Sequence, residues 1–142
     1  MEPTLHQLFF RAFHGQNNLL QPVREELGLG RGQPRILTFL LRRGQSSQSE
    51  IASYFQTDPA SISRMTEILR QNGFLTRIED ESCRRANKVC LTEKGRSAAL
   101  RWLEVCAQVD ETVLSGFSED EVKRLKGMLS RILDNLGRSL SE

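Results

Sequence analysis

Ser47-Gln48-Ser49-Glu50-Ile51-Ala52, Asp58-Pro59-Ala60-Ser61-Ile62-Ser63-Arg64 and Asn72-Gly73-Phe74-Leu75 decide how this chain folds. Serine three residues before glutamate is the spacing of a capping box, in which side chain and backbone satisfy each other across the first turn of a helix. Ile51, Ala52, Tyr54 and Phe55 then supply the apolar face of a short amphipathic helix. Gln56-Thr57-Asp58-Pro59 breaks the chain and restarts it. Asp58 is a good N-cap, and Pro59 suits the first helical position because its missing N–H would be unpaired there anyway. The spacing puts Ile62, Met65, Ile68 and Leu69 on one buried stripe, and Asn72-Gly73 ends the second helix. Phe74 to Ile78 and Lys88 to Thr92 read as strands by their β-branched and apolar content. The polar stretch 79–87 joins them and is too long for a two-residue turn. A helix-turn-helix followed by such a hairpin is a winged helix. Its second helix can enter a major groove, and its hairpin tip can follow the phosphates or the adjacent minor groove.

Toward the N-terminus, Leu5, Leu8, Phe9, Ala12 and Phe13 share one helical face with Phe10 beside it, and the pattern resumes at Leu19, Leu20, Val23 and Leu27. Residues 4–27 are therefore one long helix, or two divided between Gly15 and Pro22. After the break at Gly28-Leu29-Gly30-Arg31-Gly32, Pro34 opens a helix made apolar nearly all round by Ile36, Leu37, Phe39, Leu40 and Leu41. Such a helix is buried, here as a support beneath the reader pair. Beyond the hairpin, Thr92-Glu93-Lys94-Gly95 starts a helix running to about Leu114. Its apolar positions are Ala99, Leu100, Trp102, Leu103, Val105, Cys106, Val109 and Val113. Ser118-Glu119-Asp120-Glu121 is a second capping box, followed by Val122, Leu125, Met128, Leu129, Ile132, Leu136 and Leu140. The terminal stripes lack partners in the reader segment and most simply pack on each other, within one chain or across two.

A chain of 142 residues fits one domain or one protomer of a dimer. Only 6% of it is aromatic, which a subunit interface could make up. The net charge of +2 decides little, but its distribution is informative. Residues 31–95 hold 11 Lys/Arg against 7 Asp/Glu, or +4, while residues 1–30 (2 against 3) and 96–142 (7 against 8) are each −1. Positive charge gathers on the segment suited to phosphate. Cys83, Cys90 and Cys106 form no CxxC pair, which argues against a zinc site or a disulfide framework. No apolar run reaches membrane-span length and no signal peptide opens the chain, so no membrane partner and a cytoplasmic location are expected. Two histidines near the N-terminus with no convincing partner leave no catalytic constellation. No enzyme, cofactor or metal is expected.

From Ser47 to Gly95 the chain resembles the MarR family of winged-helix transcription regulators. The resemblance rests on the three stretches quoted above together with Arg84-Arg85-Ala86-Asn87-Lys88-Val89-Cys90-Leu91-Thr92-Glu93-Lys94-Gly95, about fifty residues in family order. The family's wing signature, aspartate-x-arginine before leucine-threonine-x-x-glycine, places its arginine at Arg85 and leaves Cys83 where the aspartate would stand. The resemblance implies a mainly α fold with a small β-hairpin wing. Residues 1–30 and 96–142 would form the dimerisation helices around a DNA-binding domain at 31–95. It also implies a homodimer straddling a pseudo-palindrome in double-stranded DNA, and regulation, usually repression. Relief by a small aromatic or lipophilic effector, or by an oxidant, belongs to the same picture.

Among individual residues, Ser61, Ser63 and Arg64 are candidates for base-edge and phosphate contact, with an ordinary solvated helix face as the alternative. Thr57, Pro59 and Ala60 lie at the same helix end, and Ser47 and Gln48 at the start of the preceding helix can meet a phosphate; Ser47 can equally serve only as a cap. Arg84, Arg85 and Lys88 are the wing candidates, or a charged loop that keeps a hairpin soluble. Cys83 beside two arginines can be a reactive thiolate or a silent substitution, whereas Cys90 and Cys106 read as small core residues. His6, Phe9, Phe10, Phe13, His14 and Trp102 line an effector pocket near the dimer interface, as the resemblance implies, or else the histidines are partly exposed or capped beside ordinary core aromatics and Trp102 fills core. A protein-interaction module of the same fold with lost DNA binding is the rival function. Steep salt dependence of DNA affinity would separate the two.

Overall fold

The computed structural model describes residues 1–78 and 88–140. Helix α1 spans Leu5–Glu26, α2 Gln33–Arg43, α3 Gln48–Phe55, α4 Pro59–Gln71, α5 Glu93–Val113 and α6 Glu119–Asn135. Strands β1 (Ser46–Ser47), β2 (Leu75–Ile78) and β3 (Lys88–Leu91) form an antiparallel sheet in the order β1-β3-β2. Of the two readings of the N-terminal segment, a single helix is realised. It runs through Gly15 and carries Pro22 inside it.

The local signals act as their chemistry dictates. Ser47 accepts from the Glu50 N–H at 3.1 Å and the Glu50 carboxylate accepts from the Ser47 N–H at 3.2 Å. Ser118 and Glu121 repeat the arrangement at the head of α6. Asp58 caps α4 and Pro59 occupies its first turn. Between α3 and α4 the chain turns at Gln56, the one non-glycine with positive φ among the described residues, at 49°.

Residues Met1–Val109 form one compact unit and Asp110–Glu142 a second. In the first, Ile36, Leu37 and Leu40 of α2 are buried with Ile51 and Ala52 of α3, Ile62 and Leu69 of α4, Phe74, Leu75, Val89 and Ala99. This is the support-helix arrangement expected from an all-round apolar α2. Arg43 lies over the rings of Phe39 and Tyr54, at 5.5 and 5.4 Å, stitching α2 to α3 with its charge still at the surface. A smaller cluster joins Leu20 and Val23 of α1 to Trp102, Val105, Cys106 and Val109 of α5. In the second unit α6 has no buried residue, and Met128, Leu129 and Leu136 are exposed.

Two expectations need correction. Ile68 does not belong to the buried stripe of α4. It is 45% exposed, and the core position is taken by Thr66, which is 1% exposed. Thr66 can be buried because its hydroxyl donates to the Ile62 carbonyl at 2.9 Å, so no polar group is left unpaired. The sheet also has a third strand. Ser46 pairs with Val89 and Ser47 with Lys88, while β2 and β3 are each trimmed by one residue, Phe74 and Thr92 lying outside them.

Thr92 and Gly95 close the base of the wing. The Thr92 hydroxyl donates to the Gly73 carbonyl at 2.6 Å and accepts the Gly95 N–H at 3.1 Å, while the Thr92 N–H reaches the Phe74 carbonyl at 3.1 Å. Gly95 is needed for space: a Cβ there would run into the Phe74 carbonyl oxygen. Lys94 donates to the Asn72 carbonyl at 2.7 Å and its ammonium sits 4.5 Å from the Phe74 ring centroid. The end of α4, the start of β2 and the start of α5 are thereby tied at one point.

Candidate nucleic-acid interface

Helix α4 divides its circumference between two tasks. Ile62, Thr66 and Leu69 face the core, and at about 100° per residue the opposite side carries Ala60, Arg64, Glu67 and Gln71, with Ser63 on one flank and Ser61 on the other. Pro59, Ala60, Ser63 and Arg64 are exposed, and Thr57 and Ser61 are half-buried. The Thr57 hydroxyl donates to the Phe55 carbonyl at 3.1 Å. Arg64 donates to Ser61 Oγ at 3.2 Å, and Ser61 donates onward to the Asp58 carboxylate at 3.4 Å. These are long bonds on an exposed surface, so the guanidinium is lightly held. Its fork suits a guanine edge or a phosphate.

Gln48 ties two helices together. Its Nε2 donates to Thr66 Oγ1 at 3.1 Å, cross-linking the first turn of α3 to the middle of α4. Ser47 likewise serves at once as cap of α3, end of β1 and partner of Lys88 across the sheet. Ser47 and half-buried Lys88 are therefore neighbours although they stand 41 positions apart in sequence. Arg84, Arg85 and Cys83 lie outside the described residues.

Glu67 was not anticipated. Its carboxylate takes a two-pronged bond from Arg70, 2.7 Å from Nη2 and 3.0 Å from Nε, together with Gln71 Nε2 at 3.3 Å. Arg77 of β2 reaches it from across the junction at 3.1 Å. Hydrogen bonding by Arg70 is the largest cause holding this carboxyl at about 2, below its ordinary 4.5; desolvation opposes it, and the charges of Arg70 and Arg77 add to the lowering. The same bond raises Arg70. The helix spacing of Glu67 and Arg70 is visible in sequence, whereas the link to Arg77 needs the folded chain.

The six residues considered for an effector pocket do not form one group in the single chain. The Phe10 and His14 rings meet at 4.4 Å, tilted by 59°, and the Phe13 ring stands edge-on to His14 at 6.4 Å. His6, Phe9, Phe10, Phe13 and His14 are exposed on α1, while Trp102 packs in the Leu20–Val109 cluster. An open cavity of about 460 Å³ is lined instead by Met1, Glu2, Pro3, Gln7, Leu8 and Arg11. Cys106 packs beside Trp102, and Cys90 is half-buried in β3. Among the described residues no His, Cys, Asp and Glu cluster could hold a metal ion, and no helix is long and apolar enough to cross a membrane.

Comparison with known proteins agrees with this architecture. The model of the MarR family matches residues 29–86. The chain is 31% identical over 104 residues to the HTH-type transcriptional regulator PecS of Dickeya dadantii, a match covering 71% of this chain and 63% of that protein. It is 28% identical over 102 residues to the HTH-type transcriptional repressor IacR of Pseudomonas putida, covering 72% and 61%. The chain thus spans less than two thirds of either relative. A MarR-family regulator from Listeria monocytogenes, solved with a 26mer DNA, matches with a TM-score of 0.83 at 20% identity, over 96% of this chain and 90% of that one. That last likeness is one of fold. The winged segment, the capped reader pair and the family match coincide on the same residues, so residues 29–86 carry the winged helix that the MarR family model describes.

Proposed function

We propose that the protein is a homodimeric, sequence-specific DNA-binding regulator that acts as a repressor on a pseudo-palindromic operator. The observation that carries this reading is the division of α4. Its core face is filled by Ile62, Thr66 and Leu69, and Ala60, Ser63 and Arg64 stand on the solvent side. Helix α4 serves as the recognition helix, with Arg64 and Ser63 at base edges and Ser61 beside them. Thr57, Pro59, Ala60, Ser47 and Gln48 approach the backbone, and Arg84, Arg85 and Lys88 hold the wing against it. Relatives named as a transcriptional regulator and a repressor, and a relative of the same fold solved with DNA, support the assignment.

A second copy of the chain explains the apolar residues left uncovered at both ends. Leu5, Leu8, Phe9, Phe10 and Phe13 are exposed on α1, as are Met128, Leu129 and Leu136 toward the other end of the chain. Monomeric proteins rarely leave contiguous apolar faces in water. In such a dimer, His6, Phe9, Phe10, Phe13, His14 and Trp102 line the site of a small aromatic or lipophilic effector, and Cys83 offers a thiol for oxidant sensing.

The test is selection of a random duplex library by the purified protein at two salt concentrations. Enrichment of a pseudo-palindrome with half-sites about 10 bp apart, bound with affinity that falls steeply in salt, is the expected result. Recovery of unrelated sequences, with flat salt dependence, would leave a protein-interaction module of the same fold.

A further inference from the structure

We propose that Arg77, held against α4 by Glu67, is a phosphate-contacting residue that carries the DNA surface from the recognition helix onto the first wing strand. The proposal rests on the DNA-binding reading above and adds residues that reading did not include. Glu67 continues the exposed side of α4 one turn beyond Arg64, so whatever lies along Arg64 passes close to it. Arg77 comes to the same spot from β2, with Nη2 3.1 Å from Glu67 Oε2 and half of its side chain in solvent. The bond to Glu67 uses one of the five N–H donors of a guanidinium, a planar fork well matched to phosphate oxygens.

Charge favours the same conclusion. Glu67 contributes −1 and Arg70 and Arg77 contribute +1 each, so the cluster is net +1 and attracts an anion. Glu67 acts as a positioning residue. Arg70 anchors the carboxylate by its two-pronged bond, and the anchored carboxylate restrains an arginine that would otherwise sample many rotamers on an exposed strand. Exposed ion pairs add little to folding stability, so stability alone gives no reason for a bridge between α4 and β2.

The experiment measures affinity for the selected operator and for an unrelated duplex between 50 and 200 mM salt, for wild type, Arg64→Ala, Arg77→Gln, Arg77→Lys, Glu67→Gln and the Glu67→Gln/Arg77→Gln pair. Urea midpoints serve as a check on folding. Arg77→Gln is expected to weaken both duplexes by about tenfold at 0.1 M salt and to lower the salt slope by about one, leaving the operator-to-unrelated ratio unchanged. Arg77→Lys should keep the slope. In the Glu67→Gln background, Arg77→Gln should cost only about threefold, because the arginine there is no longer pre-positioned. A steep wild-type slope and a loss on Arg64→Ala, with no change of slope on Arg77→Gln, would overturn the proposal while leaving the DNA reading in place. Equal costs of Arg77→Gln in both backgrounds would remove the positioning role of Glu67. A flat wild-type salt dependence would overturn the DNA reading and this proposal together.

Discussion

Replacing Thr92 by valine removes one oxygen and keeps the shape of the side chain, so it isolates the tie at the base of the wing. Two hydrogen bonds disappear: the 2.6 Å bond to the Gly73 carbonyl and the 3.1 Å bond from the Gly95 N–H. The second is an N-cap bond at the head of α5, and such caps contribute about 1 kcal/mol. The first is an ordinary hydroxyl–carbonyl bond at a half-exposed position, for which about 1 kcal/mol is again a fair net value. Together they predict a loss of about 2 kcal/mol, roughly a thirtyfold fall in the folded-to-unfolded ratio. With a urea dependence of about 2 kcal/mol per molar, the midpoint should drop by about 1 M at unchanged slope. Protomer concentration must be matched between samples, because association raises apparent stability. Thr92→Ser keeps both bonds and loses one methyl, so it should lie much nearer to wild type. Thr92→Val with an unmoved midpoint, or Thr92→Ser falling as far as the valine variant, would refute the idea that the hydroxyl locks this junction.

Gly95→Ala places a Cβ against the Phe74 carbonyl oxygen, and forcing that backbone apart should destabilise the protein by about 1–3 kcal/mol in the same urea assay, whereas Gly127→Ala, with open space around it, should be neutral or stabilising. The Glu67 carboxyl sits at about 2 when folded against an ordinary 4.5, so its ion pairs stabilise the fold above about pH 4.5, and that contribution is lost as pH falls through 2. The stability gap between wild type and Glu67→Gln should therefore be small at pH 7, as befits an exposed group, and should close on acidification; a gap that widens toward pH 2 would contradict the assignment. Arg85→Ala should weaken DNA binding across sequences, while Arg64→Ala should also relax base preference, and quantitative competition with mutated operators distinguishes the two.

Much of the reader segment could be read directly from residue order because its signals are local. A capping box needs only a serine and a glutamate three residues apart, and both boxes formed at Ser47 and Ser118. What escaped depends on partners distant in sequence. Ser46-Ser47 has no strand character of its own and becomes β1 only because β3 offers it a ladder. Ile68 fitted the three-and-four spacing as well as any core residue, yet the core of α4 is centred on Ile62, Thr66 and Leu69. A threonine wins that place because it silences its hydroxyl on the Ile62 carbonyl. The Glu67–Arg77 link joins a helix to a strand and has no periodicity to betray it. The apolar stripes of α1 and α6 were visible in sequence, but a stripe announces only that something covers it.

The division of α4 has a consequence for how such a protein can change. The residues that keep the helix in place, Ile62, Thr66 and Leu69, are a different set from those presented to water, Ala60, Ser63 and Arg64. Exposed substitutions away from special features usually alter stability by less than about 0.5 kcal/mol. The water-facing set can therefore be rewritten with little risk to the scaffold, and a duplicated copy could drift toward a new target while remaining folded at every step. Gln48 limits that freedom, because its bond to Thr66 couples one candidate contact to the interior. Retargeting should accordingly be easiest at positions 60, 63 and 64 and most constrained at 48.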